Sequence, residues 1–355
     1  MRSISLPISK SIANRLLILQ AIHGDGLMAV SCDMPDDVII LHSALQACIE
    51  QREEELTIDI GNCGTAARFL TAFLAQREGK TVTLRGVERM HHRPIGQLVD
   101  ALREIGAQIE YLGEEGFPPL CIKGCALDKH RIVRIDNPLS TQFVSSLLLI
   151  GANVQTNSKS PYIHITRTLV EQYFNQFKIQ NSYLADARTI DSKFIIEKDW
   201  SSAAFWYEYV ALHGGEIHLP GLFRDSLQGD KVVADIFAHL GVQTTYTPNG
   251  VRIYRLKKEI IQNSKSLIQN FKDCPDLYPA VALTCERLGI TLHATGTESL
   301  SIKESDRLRA VREHLTDHDH RMAMALLVAG YPVDDTDCIA KSYPNFMEQW
   351  KKMIV

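Results

Sequence analysis

The chain has 355 residues, of which 45% are hydrophobic and 23% charged, with 21 glycines and 13 prolines. This length suggests two domains, and the composition excludes a disordered, collagen-like or coiled-coil protein. The net charge is −4, and no basic domain or stripe of the kind that binds nucleic acid is present, so an anionic ligand must be held by local positive charge. No apolar run approaches the ~20 residues of a membrane span, and the first residues lack a signal-peptide pattern. We therefore expect a cytoplasmic protein with no membrane or nucleic-acid partner.

The eight cysteines are scattered, and no two of them form a CxxC pair. Neither the cysteines nor the histidines recur at zinc-ligand spacing. We expect reduced cysteines that act as small hydrophobic residues, and no metal site.

One pattern occurs six times along the chain: a polar cluster leads into an apolar run that stops near a glycine. The runs cover 16–24, 66–79, 143–151, 203–214, 277–289 and 322–330. Ser, Thr, Asp and Asn favour the first position of a helix, and Gly favours its end. The runs are apolar on nearly all sides, which predicts six buried helices.

A second helix type alternates with the first. Amphipathic helices are predicted over 94–105, 229–240 and 304–315, and short strands over 81–84, 106–109, 216–219 and 241–244. This alternation predicts an α/β chain built from about six copies of one unit, three in each domain.

The polar ends of all six buried helices are amino-terminal, where the helix dipole attracts anions. Cations are disfavoured in a first turn, yet Lys10, Arg15, Arg68, His320 and Arg321 lie in or beside these first turns. Anions bound at the helix ends would explain this placement, and six ordinary helix caps are the alternative.

The polar clusters resemble, in sequence order, the motifs of the 5-enolpyruvylshikimate-3-phosphate (EPSP) synthase family. The resemblance runs from about Leu6 to Trp350. Its motifs begin at Ser9, Gly61, Arg93, Ser140, Asp199, Pro275, Lys303, Asp319 and Lys341.

This resemblance implies a fold of two globules, each with three βαβαββ repeats around buried parallel helices. Residues 9–198 would form the amino-terminal globule, residues 1–8 and 199–355 the carboxy-terminal one, and the active site would lie in the cleft between them. The implied reaction transfers the enolpyruvyl group of phosphoenolpyruvate to the 5-hydroxyl of 3-phosphoshikimate and releases phosphate, on the route to aromatic amino acids. No metal or organic cofactor is implied, and we expect a monomer.

The resemblance also implies roles for individual residues. Asp276 matches the general base and Glu304 the proton-transfer acid, while Lys10 contacts both substrates. The residues implied for 3-phosphoshikimate are Lys10, Ser11, Arg15, Ser140, Thr141, Gln142, Asp276 and Lys303. Those implied for phosphoenolpyruvate are Lys10, Asn62, Gly64, Arg93, Gln142, Arg307, Arg321 and Lys341. A side chain at Gly64 is expected to intrude on the ligand, unless this glycine merely supplies a loop with positive φ.

The sequence departs from the family pattern at several positions. Phe69 replaces a usual Pro, Thr141 a usual Ser, and Lys159 stands near a Ser that contacts the shikimate phosphate in the family. The stretches near 50–55, 153–160 and 315–318 are short where the family has strand pairs. These departures leave open a non-catalytic anion-binding relative. A UDP-sugar enolpyruvyl transferase is the other alternative, although no cysteine lies near Arg93 as that enzyme requires.

Overall fold

The computed structural model describes residues 2–51, 53–183, 196–256 and 265–354, without the side chains of 176–183. The chain divides into two compact units. Unit 1 comprises Met1–Lys10, Cys32–Asp36 and Ile196–Val355, and unit 2 comprises Ser11–Ser31 and Asp37–Ile195. The boundaries expected near Ser9 and Asp199 remain a prediction. None of the helices in the described ranges combines the length and apolar character of a membrane span.

Helices and strands alternate along the described chain. The elements before residue 184 are β1 (Arg2–Ser3), α1 (Lys10–His23), α2 (Asp36–Glu50), β2 (Glu55–Asp59), α3 (Gly64–Ala75), β3 (Thr81–Arg85), α4 (Gly96–Glu104), β4 (Gln108–Tyr111), β5 (Leu120–Lys123), β6 (Val133–Arg134), α5 (Thr141–Leu149), β7 (Val154–Gln155) and α6 (Pro161–Tyr183). The later elements are α7 (Trp200–His213), β8 (Glu216–Pro220), α8 (Val233–His239), β9 (Val242–Thr247), β10 (Gly250–Arg255), β11 (Ser266–Asn270), α9 (Tyr278–Leu288), β12 (Thr291–Thr295), α10 (Arg307–Glu313), α11 (His320–Ala329) and α12 (Phe346–Ile354). Short 3-10 helices cover Glu88–His92, Gly229–Val232, Pro275–Leu277, Leu300–Ile302 and Asp337–Lys341.

Each unit contains one four-stranded mixed sheet. In unit 2 the strand order is β2-β3-β5-β4, in which β2 and β3 are parallel and the pairs of β5 are antiparallel. In unit 1 the order is β1-β8-β10-β9, and β1 runs parallel to β8 with Arg2 opposite Ile217. Two further parallel pairs, β6-β7 in unit 2 and β11-β12 in unit 1, complete the described sheets.

The six predicted buried helices are confirmed as α1, α3, α5, α7, α9 and α11. In unit 1, α7, α9 and α11 contact one another, and nearly every side chain of α7 and α11 is buried. In unit 2, α3 packs against α5. A surface helix would bury one face only, so burial on all sides explains why these runs have few charged residues after their first turn.

The ends of these helices follow ordinary capping chemistry. The Ser140 side chain accepts a hydrogen bond from a first-turn amide of α5, and Asp319 does the same for α11. Gly289 and Gly330 end α9 and α11 in the left-handed conformation, with φ of 68° and 79°. α3 ends at Ala75, four residues before Gly79, where the sequence pattern predicts its end.

The α/β fold class expected from the resemblance is confirmed. The described strands also show which of the expected βαβαββ repeats have all their strands. A full βαβαββ repeat occurs in unit 2 as β2-α3-β3-α4-β4-β5 and in unit 1 as β1 with α7-β8-α8-β9-β10. In the three short stretches, the described residues contain no strand pair. There α2 leads into β2, the single strand β7 into α6, and α10 into α11.

Candidate active site

Arg307 is the central cation of a buried cluster in unit 1. It begins α10, directly after the helix cap Asp306, and its side chain is 1% exposed. Nε lies 2.7 Å from Oδ2 of Asp319, Nη1 2.7 Å from Oδ1 of Asp276, and Nη2 3.1 Å from Oε2 of Glu304. Burial lowers the pKa of Arg307, but the three carboxylates outweigh burial and raise it, so the guanidinium stays charged.

Asp276 lies in the 3-10 helix before α9 and is surrounded by cations. Besides Arg307, Nη2 of Arg321 lies 2.8 Å from Oδ2 and Nζ of Lys303 lies 3.5 Å from Oδ1. The Asp276 side chain keeps 22% of its surface exposed, which leaves room for a ligand to reach it. Burial is the largest single influence and raises the pKa of this carboxyl, but Arg321, Lys303 and further cations together bring it well below its usual range. Lys10 is one of those further cations.

Glu304 is held between two cations on the other side of Arg307. Its Oε2 accepts from Arg307, and its Oε1 lies 3.2 Å from Nζ of Lys341. Lys341 comes from the end of the 3-10 helix Asp337–Lys341, far along the chain. The predicted acid and the predicted base are therefore bound to the same guanidinium.

The start of α11 adds two buried groups to this cluster. Asp319 caps the helix by accepting from the amide of Arg321 at 2.9 Å, and it also accepts from the Ser305 hydroxyl at 3.1 Å. Burial, followed by the charges of Lys10 and Arg321, brings the pKa of His320 well below its usual value. The imidazole is therefore neutral at pH 7 and adds no charge beside Arg321.

A further carboxyl, Asp230, lies buried beside the same cluster. The Ser201 hydroxyl, in the first turn of α7, donates a short hydrogen bond to Oδ2 of Asp230. Burial, with the charge of Asp276 second, raises the pKa of Asp230 to about 7. Ser202 instead donates to the helix-cap residue Asp199 at 2.7 Å, so both serines are hydrogen-bonded to carboxylates at the start of α7.

In unit 2, Arg15 lies within α1 and is surrounded by neutral groups. Nε donates to Oγ1 of Thr166 at 2.7 Å, and Nη1 donates to the carbonyl and hydroxyl oxygens of Ser11 at 2.8 and 2.9 Å. Nη2 donates to the Ser145 hydroxyl at 3.1 Å and to the Tyr162 carbonyl at 3.4 Å. Burial lowers the pKa of Arg15 to about 10, which still leaves it charged at pH 7.

Gly64 is the first residue of α3 and lies between two guanidinium groups. A Cβ atom built on Gly64 would lie 2.5 Å from Nη1 of Arg68 and 2.6 Å from Nη1 of Arg93. Arg68 is fixed there, because it donates to the carbonyls of Gly64 and Pro94 at 2.9 and 3.1 Å. Gly64 does not have positive φ, so the alternative reading of it as a positive-φ loop glycine is wrong.

The start of α5 meets the start of α3. Ser140 caps α5, and its hydroxyl accepts from the Gln142 amide at 3.3 Å. The Gln142 side chain donates to the Thr65 hydroxyl at 2.9 Å, which connects two helix starts that the sequence assigns to different substrates. Near the departure at Lys159, which is exposed, the buried Ser160 accepts from the amide of Tyr162 at 3.3 Å.

The predicted site residues thus form two groups. Unit 1 holds Lys10, Asp276, Lys303, Glu304, Arg307, Arg321 and Lys341, and unit 2 holds Ser11, Arg15, Asn62, Gly64, Arg93, Ser140, Thr141 and Gln142. Asp319, Asp230, Ser145 and Thr166 were not among the predicted site residues, and Arg68 was predicted only as a cation beside a helix start. Asp319 and Arg68 stand inside the recognised motifs and were detectable there, whereas Asp230 in a first turn carries no signal beyond that of an ordinary cap.

Comparisons with known proteins give one consistent result. A family model described as EPSP synthase (3-phosphoshikimate 1-carboxyvinyltransferase) matches residues 26–317 and 313–350. A 3-phosphoshikimate 1-carboxyvinyltransferase of Bacteroides fragilis is 36% identical over 400 residues, covering 99% of this chain and 94% of that protein. One of Shewanella woodyi is 30% identical over 420 residues, covering 98% and 96% of the two chains.

A solved structure supports the fold. EPSP synthase from Acinetobacter baumannii superposes with a TM-score of 0.64 at 20% identity, covering 99% of this chain and 95% of that one. At this identity the likeness concerns the fold alone, and it agrees with the two-unit α/β architecture.

Proposed function

Because this chain belongs to the EPSP synthase family, we propose that its two groups of site residues hold and convert the two anionic substrates of that family. The protein is a 3-phosphoshikimate 1-carboxyvinyltransferase of the shikimate pathway. It transfers the enolpyruvyl group of phosphoenolpyruvate to the 5-hydroxyl of 3-phosphoshikimate and releases phosphate.

The observation that supports proton transfer by Asp276 and Glu304 is that both carboxylates are bound to the buried guanidinium of Arg307. As the 5-hydroxyl oxygen bonds to C2 of phosphoenolpyruvate, Asp276 takes the hydroxyl proton and Glu304 gives a proton to C3. Elimination then breaks the bond between C2 and the phosphate oxygen. Glu304 takes a proton back from C3, and Asp276 returns its proton to the departing phosphate. Arg307 keeps both carboxylates in place through these steps, since it donates to each of them.

Substrate binding would also adjust the basicity of Asp276. Without a ligand, the cations around it hold the pKa of this carboxyl well below its usual range, which makes it a poor base. Phosphoenolpyruvate brings a phosphate and a carboxylate to Arg321, Arg307 and Lys341, and so partly neutralises these cations. The pKa of Asp276 therefore rises when the reactants are present.

The residues of unit 2 supply recognition in this proposal. Arg15, Ser11 and the first turn of α5, with Ser140 and Thr141, bind 3-phosphoshikimate through charge and helix-start amides. The start of α3, with Asn62, Gly64 and Arg93, binds phosphoenolpyruvate, and Gln142 contacts both ligands.

Phosphate release from phosphoenolpyruvate plus 3-phosphoshikimate tests the function directly. We expect release only when both substrates are present, and its loss in Asp276→Asn. Asp317→Asn, which changes an exposed carboxylate 3.4 Å from Arg309, is the matched control and should keep full activity. A wild-type protein that binds 3-phosphoshikimate but releases no phosphate would contradict the proposal and favour a non-catalytic relative.

The proposal also covers the oligomeric state and the cellular location of the protein. The protein acts as a monomer, and it acts in the cytoplasm, where phosphoenolpyruvate is made. Sedimentation of the purified chain and fractionation of its host cells would test both.

A further inference from the structure

The Phe69 ring lies against the guanidinium of Arg15 inside unit 2. Cζ of Arg15 is over the ring, 5.3 Å from its centroid. Phe69 is 1% exposed and Arg15 3% exposed, so water is excluded from both partners. Cation–π attraction increases when its partners are desolvated, and this geometry is within its range of about 6 Å.

Arg15 depends on this ring because no acidic group neutralises it. Its five N–H groups donate to three hydroxyls and two carbonyls, and no carboxylate contacts it within the described residues. A buried cation normally has an acidic partner, since desolvation of an unpaired charge is unfavourable. The face of Phe69 therefore supplies negative electrostatic potential that the surrounding dipoles only partly provide.

The same hydrogen bonds indicate which edge of Arg15 a ligand would take. Nε and Nη1 hold short bonds of 2.7 to 2.9 Å, whereas Nη2 holds the two longest, 3.1 Å to Ser145 and 3.4 Å to the Tyr162 carbonyl. An anion that replaces the 3.4 Å bond gains a charge-assisted hydrogen bond and displaces only one neutral acceptor. That exchange requires the guanidinium plane to stay fixed.

We propose that Phe69 is a positioning residue for 3-phosphoshikimate, whose ring holds the guanidinium plane of Arg15 with its Nη2 edge toward the anionic substrate. This inference rests on the proposed function, in which Arg15 binds that substrate. The neighbouring Arg68 instead donates to the carbonyls of Gly64 and Pro94, beside the residues proposed to bind phosphoenolpyruvate. A change at Phe69 should therefore affect the binding of 3-phosphoshikimate and not that of phosphoenolpyruvate.

The chain offers a matched control one turn along the same helix. Phe73 is also fully buried, and the Arg77 guanidinium lies over its ring at 5.4 Å, but Arg77 has no role in the site. Phe69→Leu and Phe73→Leu therefore remove equal apolar volume and the same type of contact. Only the first variant removes it from Arg15.

Calorimetric titration with 3-phosphoshikimate, steady-state kinetics and melting temperatures test the proposal. We expect Phe69→Leu to weaken 3-phosphoshikimate binding about 5- to 20-fold, with the KM for phosphoenolpyruvate and kcat changed less than about 2-fold. Phe73→Leu should lower the melting temperature comparably and leave 3-phosphoshikimate binding within about 2-fold. Equal effects of the two variants on binding, or an equal rise of both KM values in Phe69→Leu, would overturn the proposal.

A second measurement covers the case in which Phe69→Leu fails to fold. Fluorinated phenylalanines at position 69 keep the shape of the ring and progressively weaken its negative face. Binding of 3-phosphoshikimate should weaken with each added fluorine at position 69 and not at position 73. Unchanged binding across the fluorinated series refutes the role of the ring, whereas a wild-type protein that binds no 3-phosphoshikimate refutes the proposed function itself.

Discussion

Gly64→Ala tests whether the start of α3 binds phosphoenolpyruvate. The added methyl carbon would lie 2.5 Å from Nη1 of Arg68 and 2.7 Å from Cζ of Arg93, against an ordinary contact distance of about 3.5 Å. Both guanidinium groups must therefore move, Arg68 by about 1 Å and Arg93 by about 0.8 Å. Arg93 is partly exposed and can give way, whereas Arg68 is buried and bonded to two carbonyls, so its displacement weakens those bonds.

The displacement sets the expected magnitude. A misplacement of 1 Å in a binding group can reduce turnover by up to about 100-fold, and a partly exposed arginine recovers much of that by bending. We expect kcat/KM for phosphoenolpyruvate to fall about 3- to 5-fold. Glyphosate, used here as an inhibitor that competes for this site, is similar to phosphoenolpyruvate in charge but longer. It should therefore tolerate the smaller space less well, and its Ki should rise at least about 10-fold.

The assay measures KM for phosphoenolpyruvate, Ki for glyphosate and the melting temperature on one preparation. Gly96→Ala is the matched control, because Gly96 also begins a helix, α4, and its added carbon would meet the Cα of Gly116 at an ordinary 3.4 Å. A Gly64→Ala enzyme with an unchanged ratio of Ki to KM and a lower melting temperature would refute the pocket assignment.

The remaining predictions concern three sets of carboxyls. Asp276→Ala and Glu304→Ala should each lower kcat at least about 100-fold with little change in KM, because each loses a proton-transfer group; wild-type turnover in either variant removes that residue from the mechanism. Folded Asp230 has a pKa of about 7, so the native state keeps a proton that the unfolded chain has released, and stability should fall as pH rises from about 4 through 7. Asp230→Asn should flatten this dependence and raise the melting temperature more at pH 8 than at pH 5; parallel pH profiles would contradict the assignment. Glu208, in α7, is fully buried, neither carboxylate oxygen has a hydrogen-bond partner in the described structure, and burial raises its pKa well above the usual value. Glu208→Leu should therefore increase the free energy of unfolding by about 1–3 kcal/mol at pH 8, measured by denaturant titration, whereas the exposed Glu216→Gln should change it little.

The sequence was most informative where a single helix buries all its sides. The runs that became α7, α9 and α11 begin with polar residues, are mostly apolar afterwards and have a glycine at their ends, so capping chemistry defines them locally. The two-residue strands β6 and β7 are too short to show alternation. The pairing of β1 with β8 joins residues from distant parts of the chain, which a local pattern cannot reveal.

In the candidate site too, local sequence patterns were predictable and contacts between distant parts of the chain were not. Among the predicted cations of unit 1, Lys10, Arg307 and Arg321 lie at helix starts, whereas Lys341 lies at the end of a 3-10 helix. Asp319 was overlooked because an Asp before an apolar run is a sufficient helix cap, and its second role of holding Arg307 exists only after α10 and α11 meet. The motif of Gly64 was evident from the sequence, and Arg93 was assigned to the same ligand. The close approach of Arg68 and Arg93 to this glycine is visible only in the folded structure.

The pairing of β1 also affects how this chain is made on the ribosome. Unit 1 takes its first strand from residues 2–3, whose partner strand begins at Glu216, and the Ser5 amide donates to the side chain of Gln349. At roughly 5–20 residues per second, the earliest residues wait tens of seconds for these partners to be synthesised. Unit 2, whose residues are complete by position 195, can collapse during that interval. The nascent chain therefore carries an unpaired first strand, with the future core residues Ile4 and Leu6, while unit 2 folds, and the sheet of unit 1 can be completed only after β8 has been made.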